Sequence, residues 1–343
     1  MTLLVKNILN FKKKIFFCCL LCLIIIFIFN NYQTKIVKFK KNISNVSYVN
    51  KNVSFVLNSN LIQNNIQHTK IKTSYFVSAH LIGRLGNQLF ITASSFGISQ
   101  YTNSQWCLFE SEFNEISKYV AWTESPQICP EISFEFRTEQ DKHGIFIKNL
   151  IEPQKTNIIV GNYLQSYKYF NIFSLPFYLQ KQNWAKEWLK KMKINSAIHI
   201  RRGDHLQIPI YKNMLPDINY FEAAIKLIKS KDINARFCVF SDDMEYVKQE
   251  NVFINMQFTE NLTPDETMAI IGECKHVIMS VGTFGWWGTY FSSKNKGLKI
   301  YYNEKRKNSW WDSGLFLEED HYPHTWIGLN STSICKILNS SVL

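Results

Sequence analysis

The chain has 343 residues, 46% of them apolar, and a formal net charge of +12 at pH 7. So large a charge would suit a nucleic-acid partner, but eleven lysines and no acidic residue lie within residues 1–72. The body beyond them is almost neutral, whereas a nucleic-acid-binding domain carries a basic stripe on its folded surface. Composition therefore argues against nucleic acid as a partner.

The first element along the chain is an uninterrupted apolar run at residues 15–29, preceded by three lysines at residues 12–14. It is shorter than the roughly 20 residues that cross a typical bilayer, so it suits the thinner membranes of the secretory route. No small-residue cleavage signature follows, which favours an uncleaved signal-anchor over a removed signal peptide. We therefore expect residues 1–14 to be a cytoplasmic tail and residues 15–29 to be the transmembrane segment of a single-pass type II Golgi membrane protein.

Residues 30–72 are rich in Asn, Lys and Ser and contain no proline and no helical periodicity, which is typical of an extended stem. Three glycosylation sequons lie in this stem and three more in the body. Because such sites are used only in the secretory lumen, their number behind an apolar anchor favours a lumenal body. The candidate glycosylation sites are Asn42, Asn45, Asn52, Asn261 and Asn330, and Asn339 also begins a sequon.

Five cysteines fall outside the apolar run and are available for disulfides. Because this number is odd, at least one of them stays unpaired within the chain. None has the C-x-x-C spacing of a zinc site, so the sequence predicts no metal centre. The five are Cys107, Cys129, Cys238, Cys274 and Cys335.

The body is long enough for two α/β lobes, which we place at residues 73–190 and 191–335. In the first lobe, a β-like run at residues 73–81 leads through G-R-L-G-N-Q into an apolar helix. In the second, apolar runs alternate with helical segments, one of which begins at Thr263 with capping-box spacing. Strands separated by helices predict a doubly wound parallel sheet with ligands beyond the carboxyl ends of its strands. The predicted strands of the second lobe are residues 196–200, 236–243, 276–280 and 297–302, and the predicted helices are 220–230, 264–274 and 286–291.

Two adjacent arginines, Arg201 and Arg202, follow the first strand of the second lobe in the motif H-I-R-R-G-D at residues 199–204. Guanidinium forks match phosphate oxygens, so the pair suits the diphosphate of a nucleotide sugar. The motif would also suit an exposed loop with an ion pair between Arg202 and Asp204, or an R-G-D adhesion loop. The buried strand that leads into the motif favours a ligand crevice.

The next strand ends in F-S-D-D at residues 240–243. The carboxylates of Asp242 and Asp243 can accept the paired N–H donors at the edge of guanine, and His199 can add a hydrogen bond to the base. Helix capping by Ser241 and Asp242 is the commoner role of such a sequence. Metal binding is a third role for paired carboxylates, but adjacent ones point apart and the D-x-D spacing is absent.

The third strand end, at residues 280–291, begins with small residues and enters a helix. Gly282 lets the backbone approach a ligand closely, while Thr283 and the first N–H groups of the helix can bind phosphate oxygens. We add Phe284 to this donor-binding group. The two tryptophans that follow are expected to pack in the core behind the loop.

The first lobe contributes the glycine-punctuated G-R-L-G-N-Q at residues 83–88. Glycine turns before helices are common, so the motif is a weak signal by itself. Together with the other strand ends it predicts the opposite wall of the cleft. Asn87 would then supply its amide to the sugar or to the oxygen that is transferred.

The chain resembles glycosyltransferase family 11, the animal galactoside 2-α-L-fucosyltransferases, from about Phe76 to Leu329. The resemblance lies in the order of G-R-L-G-N-Q, H-I-R-R-G-D, V-F-S-D, I-M-S-V-G-T-F-G-W-W-G-T-Y and Y-P-H-T-W-I-G-L. It implies an α/β fold of GT-B type behind the anchor and stem, with two Rossmann-like lobes built on parallel sheets. Residues 73–190 would be the acceptor-side lobe, and residues 191–335 the GDP-fucose-binding lobe.

The same resemblance implies transfer of L-fucose from GDP-β-L-fucose, with inversion, to the 2-hydroxyl of a terminal β-galactose on a glycan. No cofactor and no divalent metal would be required. Arg201 and Arg202 would stabilise the departing GDP, with Arg202 on the β-phosphate, and Asn87 would complete the catalytic group.

An inverting transfer is also expected to use a general base for the acceptor hydroxyl. Asp204 is the nearest candidate, although its position favours holding an arginine in place, and Glu273 and Glu319 are remoter ones. Two alternatives to the main prediction stay open. The chain could be a non-catalytic protein of the same fold that binds glycans or GDP-fucose, or a fucosyltransferase with another acceptor, such as a protein hydroxyl.

Overall fold

The computed structural model of the protein describes residues 75–137 and 143–333. The predicted cytoplasmic tail, membrane segment and stem lie outside these residues. In the described ranges, no helix combines the length and the apolar character needed to cross a bilayer. Also outside the described residues are Asn42, Asn45, Asn52, Asn339 and Cys335.

The first lobe is built on a parallel sheet. Its strands are β1 (Phe76–Ala79), β2 (Gln105–Leu108), β3 (Val120–Trp122), β4 (Gln127–Ile128), β5 (Glu135–Arg137), β6 (Ile158–Val160) and β7 (Phe177–Leu179). The sheet has the order β4-β2-β1-β6-β5, while β3 and β7 form a separate antiparallel pair. The helices are α1 (Leu85–Thr102), α2 (Glu110–Ile116) and α3 (Gln182–Met192), with 3-10 turns at Lys148–Ile151, Tyr167–Tyr169 and Ile172–Ser174.

The second lobe has a parallel sheet of six strands. They are β8 (Ser196–Ile200), β9 (Phe237–Ser241), β10 (Gln257–Phe258), β11 (His276–Met279), β12 (Lys299–Tyr302) and β13 (Ile327–Leu329). The helices are α4 (Pro209–Lys212), α5 (Ile218–Lys231), α6 (Met244–Gln249), α7 (Pro264–Glu273), α8 (Thr283–Ser292) and α9 (Glu318–His321), with 3-10 turns at Gly203–Gln207, Asn251–Phe253 and Trp310–Asp312.

The strand order of the second sheet, β10-β9-β8-β11-β12-β13, is that of a doubly wound dinucleotide-binding fold. The chain leaves β8 in one direction across the sheet and returns to β11 on its other side, so the topological switch point lies between these two strands. The predicted strands and helices of this lobe are confirmed, as is the α/β fold of GT-B type with two parallel sheets. The predicted capping box is present, since the side chains of Thr263 and Glu266 accept hydrogen bonds from each other's backbone N–H.

Helix α1 packs directly against α8 and so joins the two lobes. The rings of Trp286 and Trp287, which are completely buried as predicted, lie 4.4 and 5.2 Å from the ring of Phe90. Farther along α1, a Cβ at Gly97 would lie 1.8 Å from the carbonyl oxygen of Tyr169. Only glycine fits such an approach, which packs α1 tightly against the turn at Tyr167–Tyr169 of its own lobe.

A segment of the second lobe around α9 also crosses to the first lobe. The backbone N–H of Gly144 donates to the carbonyl of Leu315 at 3.0 Å. The buried carboxylate of Asp320 accepts from the backbone N–H of Phe146 at 2.7 Å and from Lys168 Nζ at 2.5 Å. These contacts clamp the lobes together.

One disulfide links Cys107 at β2 to Cys129, just after β4. It ties the edge of the first sheet to its neighbouring strand. Cys238 and Cys274 are buried and unpaired, which agrees with the prediction that not every body cysteine is bridged.

Candidate active site

A cleft of about 1060 Å³ lies where the two lobes meet, and both contribute to its walls. The second lobe lines it with residues beyond the carboxyl ends of β8, β9 and β11, including the switch point of that sheet. The first lobe lines it with residues 83–88, between β1 and α1. Open parallel sheets bind their ligands at such switch points, so this cleft is the candidate active site.

Of the two adjacent arginines, Arg201 is the one that lines the cleft. Its backbone N–H donates to the hydroxyl of Ser280 at 2.7 Å, which joins the ends of β8 and β11. One end of its guanidinium donates to Asp242 and the other to Asp204. The side chain is thus held in place while part of its fork of donors stays available to an anion.

Arg202 does not line the cleft, and its expected place on the leaving diphosphate stays a prediction. Its Nε donates to Asp243 at 2.9 Å, and its guanidinium carbon lies 3.5 Å from the centre of the Tyr246 ring. The two side chains leave the end of β8 in different directions, and Arg201 is the one that reaches the cleft.

The two aspartates expected to read a guanine edge are both engaged by protein groups. Asp242 lines the cleft, but its Oδ1 accepts from the backbone N–H groups of Arg202 at 2.8 Å and Gly203 at 3.1 Å. Asp243 lies outside the cleft and caps α6 by accepting from the backbone N–H of Tyr246 at 3.3 Å. Capping therefore explains Asp243, and Asp242 braces the arginine loop.

Asp204 lines the cleft and joins the lobes through an exposed ion pair, in which Arg84 Nη2 donates to its Oδ2 at 3.0 Å. Burial works to raise its pKa, but the positive charges of Arg201 and Arg84 outweigh burial and lower the pKa. A carboxylate with a lowered pKa is a weak base, so Asp204 acts as a holder of arginines. Glu273 and Glu319, the remoter candidates for the base, do not line the cleft.

His199 lines the cleft, and its buried Nδ1, which has no hydrogen-bond partner, lies against Gly285 of α8. Its side chain is buried, and its ring lies 5.6 Å from that of Phe284. Burial lowers its pKa to about 4, and the charge of Arg201 adds to this effect, so the ring is neutral at pH 7. Gln88 Oε1 and His205 Nδ1 are also buried without partners in cleft-lining residues.

Helix α8 begins at the cleft, where Gly282, Thr283 and Phe284 line the wall. Gly282 has φ +95°, a conformation that favours glycine, and no side chain caps the helix. The start of α8 and the positive end of its dipole therefore lie in the cleft wall, next to the side chain of Arg201, whose Cγ is 4.0 Å from the Cβ position of Gly282. A helix start beside an arginine is suited to a phosphate group.

Asn87 stands at the junction of the lobes. The hydroxyl of Thr283 donates to its Oδ1 at 2.9 Å. Gly86, beside it, approaches α8 so closely that a Cβ would lie 2.7 Å from the backbone nitrogen of Phe284. The motifs G-R-L-G-N-Q and G-T-F-G are thus in direct contact.

The cleft brings together most of the residues predicted for the site: Asn87, His199, Arg201, Asp204, Asp242, Gly282, Thr283 and Phe284. Arg84, Gln88 and His205 also line it and were not predicted, although all three lie within or directly beside the motifs. Gln165, which contacts Asn87, was not predicted either, because no motif in its surroundings signals a ligand. Among the described residues, no group of three or more His, Cys, Asp or Glu side chains is arranged to hold a metal ion.

Two of the candidate glycosylation sites lie in the described body. Asn261 is exposed, has φ +63° and stands at the rim of the cleft. Asn330 is half-buried, and its Oδ1 accepts from the backbone N–H of Thr332 at 3.2 Å and from the hydroxyl of Ser333 at 2.9 Å. Asn261 is therefore the more accessible of the two.

The chain has two α/β lobes, each built on a parallel sheet, and the cleft between them is lined by an arginine and by the start of a helix. This arrangement is that of a GT-B protein that binds a nucleotide sugar. The sequence profile named Glycosyl transferase family 11 matches residues 42–330. The chain therefore belongs to glycosyltransferase family 11.

Relatives of known name are galactoside fucosyltransferases. Galactoside 2-alpha-L-fucosyltransferase Sec1 of Mus musculus is 26% identical over 160 residues, which cover 42% of each chain. Galactoside alpha-(1,2)-fucosyltransferase 2 of Mus musculus is 23% identical over 252 residues, which cover 66% of this chain and 70% of the relative. The match to the first of these spans less than half of the relative's length.

Among solved structures, fucosyltransferase NodZ from Bradyrhizobium is similar with a TM-score of 0.42 and 14% sequence identity. The similarity covers 63% of this chain and 92% of that one. It is too weak to add to the fold assignment, which depends on the order and direction of the strands.

Proposed function

We propose that this chain transfers L-fucose from GDP-β-L-fucose, with inversion, to the 2-hydroxyl of a terminal β-galactose on a glycan. The observation that carries the proposal is the position of Arg201, at the switch point of a doubly wound sheet and beside the uncapped start of α8. Membership of family 11 and the names of the relatives, which specify galactosides and the 1,2 linkage, support the choice of donor and acceptor.

The positive groups of the cleft would act mainly on the leaving group. As the bond from fucose to GDP breaks, negative charge grows on the β-phosphate while the sugar carbon becomes positive. Arg201 and the N–H groups at the start of α8 are fixed before the reaction, so they stabilise this charge without reorganising. His199 also lines the cleft and would contact the base of the nucleotide with its ring.

The test is an assay of the full chain, purified in detergent, with GDP-fucose and lactose. We expect a product that carries fucose on the 2-hydroxyl of the galactose. The matched control acceptor is 2′-deoxylactose, which lacks only the receiving hydroxyl of the galactose and should give no product. Absence of transfer to every β-galactoside, or equal use of GDP-mannose or UDP-galactose as donor, would refute the proposal.

The same assay decides between the proposal and its alternatives. Binding of GDP-fucose without transfer or hydrolysis would select a non-catalytic binding protein. Transfer to a protein hydroxyl in place of a galactoside would select a different acceptor.

We further propose that the reaction needs no cofactor and no divalent metal, because Arg201 and α8 supply the positive charge, and full activity in excess EDTA is the expected result.

We also propose that the protein is a single-pass type II protein of the Golgi membrane with a lumenal catalytic body. The apolar run at residues 15–29 and the sequons that follow it support this topology. Protease treatment of sealed microsomes should spare the body, and an endoglycosidase should shift its mass. Digestion of the body in sealed vesicles would contradict the topology.

A further inference from the structure

The segment that follows β6 takes an unusual path. Asn162, Tyr163 and Leu164 have φ values of +58°, +60° and +40°. Left-handed backbone is unfavourable for residues other than glycine, so three such residues in succession persist only where the surroundings enforce them. Strained backbone of this kind is concentrated at functional sites. The residue that directly follows the strained turn is Gln165.

Both lobes hold the backbone of Gln165. Its N–H donates to the carbonyl of His143 at 2.7 Å, and its own carbonyl lies 2.6 Å from Nδ1 of His321 in the second lobe. The preceding carbonyl, of Leu164, accepts from the hydroxyl of Ser94 on α1 at 3.0 Å. The left-handed turn therefore places Gln165 firmly at the carboxyl end of β6, beside the switch point of the first sheet.

The buried side chain of Gln165 reaches the active-site cleft through Asn87. Its Nε2 donates to Asn87 Oδ1 at 3.1 Å, and the hydroxyl of Thr283 donates to the same oxygen at 2.9 Å. With two donors on Oδ1, the NH₂ group of Asn87 is turned away from both. It lies over Gly83, where a Cβ would be 2.5 Å from it, and Gly83 and Asn87 both line the cleft.

We propose that Gln165 is a positioning residue that fixes the Asn87 amide with its NH₂ group facing the cleft, as a donor to an oxygen of the bound nucleotide sugar. This inference rests on the proposed function. Without the donor from Gln165, the amide can rotate by half a turn and present its carbonyl oxygen instead. That oxygen would repel the negative charge that grows on the leaving group.

The decisive variants are Gln165→Glu and Gln165→Met, which keep the size of the side chain. A carboxylate only accepts hydrogen bonds, so Gln165→Glu draws the NH₂ group of Asn87 away from the cleft. The thioether of Gln165→Met leaves the amide free to adopt either orientation. We expect kcat/KM for fucose transfer to fall about tenfold or more for Gln165→Glu and by a smaller factor for Gln165→Met, because an unpaired or misdirected polar group costs about 1–3 kcal/mol. The matched control is Gln154→Glu, the same change at a half-buried position outside the cleft, which should leave kcat/KM unchanged.

A double-mutant cycle separates positioning from a merely structural role. If Gln165 acts through Asn87, Gln165→Glu should change kcat/KM by less than about twofold in an Asn87→Ala background. An equal loss in both backgrounds, or equal losses for Gln165→Glu and Gln165→Met, would overturn the proposal. The affinity for GDP-fucose is measured in parallel by calorimetry. If the wild-type chain binds GDP-fucose without transferring fucose, the proposed function is refuted but the role of Gln165 is not. The same double-mutant cycle, measured by the affinity for GDP-fucose, then tests that role.

Discussion

The two adjacent arginines of H-I-R-R-G-D do different work. Arg201 faces the cleft between Asp242 and Asp204, while Arg202 turns away to Asp243 and the ring of Tyr246. The first is placed to meet an anion. The second fastens the end of β8 to α6.

This division predicts unequal effects of the same substitution. Arg201→Lys should lower kcat for fucose transfer about 100-fold or more, because an ammonium group cannot hold two carboxylates and a phosphate oxygen together. Arg202→Lys is the matched control and should lower kcat by less than about tenfold. Steady-state kinetics, with the thermal midpoint as a check of folding, would measure both, and a larger loss for Arg202→Lys would contradict the assignment.

At the scale of residues, the sequence predicts that an anion site is present, but it does not predict which side chain faces the anion. Paired guanidiniums after a buried strand indicate an anion site. Which of them faces the anion depends on the direction of the chain beyond β8 and on the distant Tyr246, and neither is visible in the motif. Gln165 is hidden for a similar reason, because its partner Asn87 is close only in the folded chain.

At the scale of elements, the active site is built where two helices begin. The starts of α1 and α8 touch, with Gly86 against the backbone of residues 283–284. Each helix belongs to a different lobe, so this contact sets the width of the cleft floor.

A single methyl group should disturb that contact. In Gly86→Ala the Cβ would meet the carbonyl carbon of Thr283 and the nitrogen of Phe284 at 2.7 Å, and backbone atoms cannot move aside cheaply. We expect the free energy of unfolding to fall by about 1–3 kcal/mol and transfer to fall about tenfold or more. Denaturant unfolding and kinetics would measure these changes. Gln100→Ala, at an exposed position of the same helix, is the control, and wild-type activity of Gly86→Ala would disprove the role of the contact.

The strands and helices of the second lobe can be predicted because each strand is an apolar run that is followed by a helix. The helices have recognisable sequence patterns, such as the capping box that begins one of them at Thr263. The strands of the first lobe between β2 and β7 are two to four residues long, too short for a periodic pattern to show. The Cys107–Cys129 bridge ties the end of β4 to β2, and β1 and β2 pack against α1. The pairing of these short strands therefore cannot be predicted from the sequence and is seen only in the structure.

At the scale of the whole molecule, the lobes are joined by the α1–α8 contact and by the clamp around Asp320. Two buried histidines, His199 and His321, lie along this junction. Burial lowers the pKa of each to about 4, and both rings are neutral in the folded protein at pH 7.

The molecule should consequently lose stability in mild acid. Between pH 6.5 and about 4 the unfolded chain protonates these histidines while the folded chain does not, so the free energy of unfolding falls as the pH falls through this window. The loss at pH 5 is about 2 kcal/mol for each histidine. Denaturant unfolding at several pH values should show a smaller pH dependence for His321→Gln and an unchanged one for His324→Gln, whose side chain is exposed. An identical pH dependence in the wild type and His321→Gln would contradict the prediction.

The central claim is that the diphosphate of the donor lies between Arg201 and the start of α8, and a crystal structure of the protein with GDP tests it most directly. We expect oxygens of the β-phosphate within hydrogen-bond distance of the Arg201 guanidinium and of the first N–H groups of α8, with guanine beside His199. A diphosphate bound by Arg202, or lodged outside the cleft without contact to Arg201, would contradict the claim.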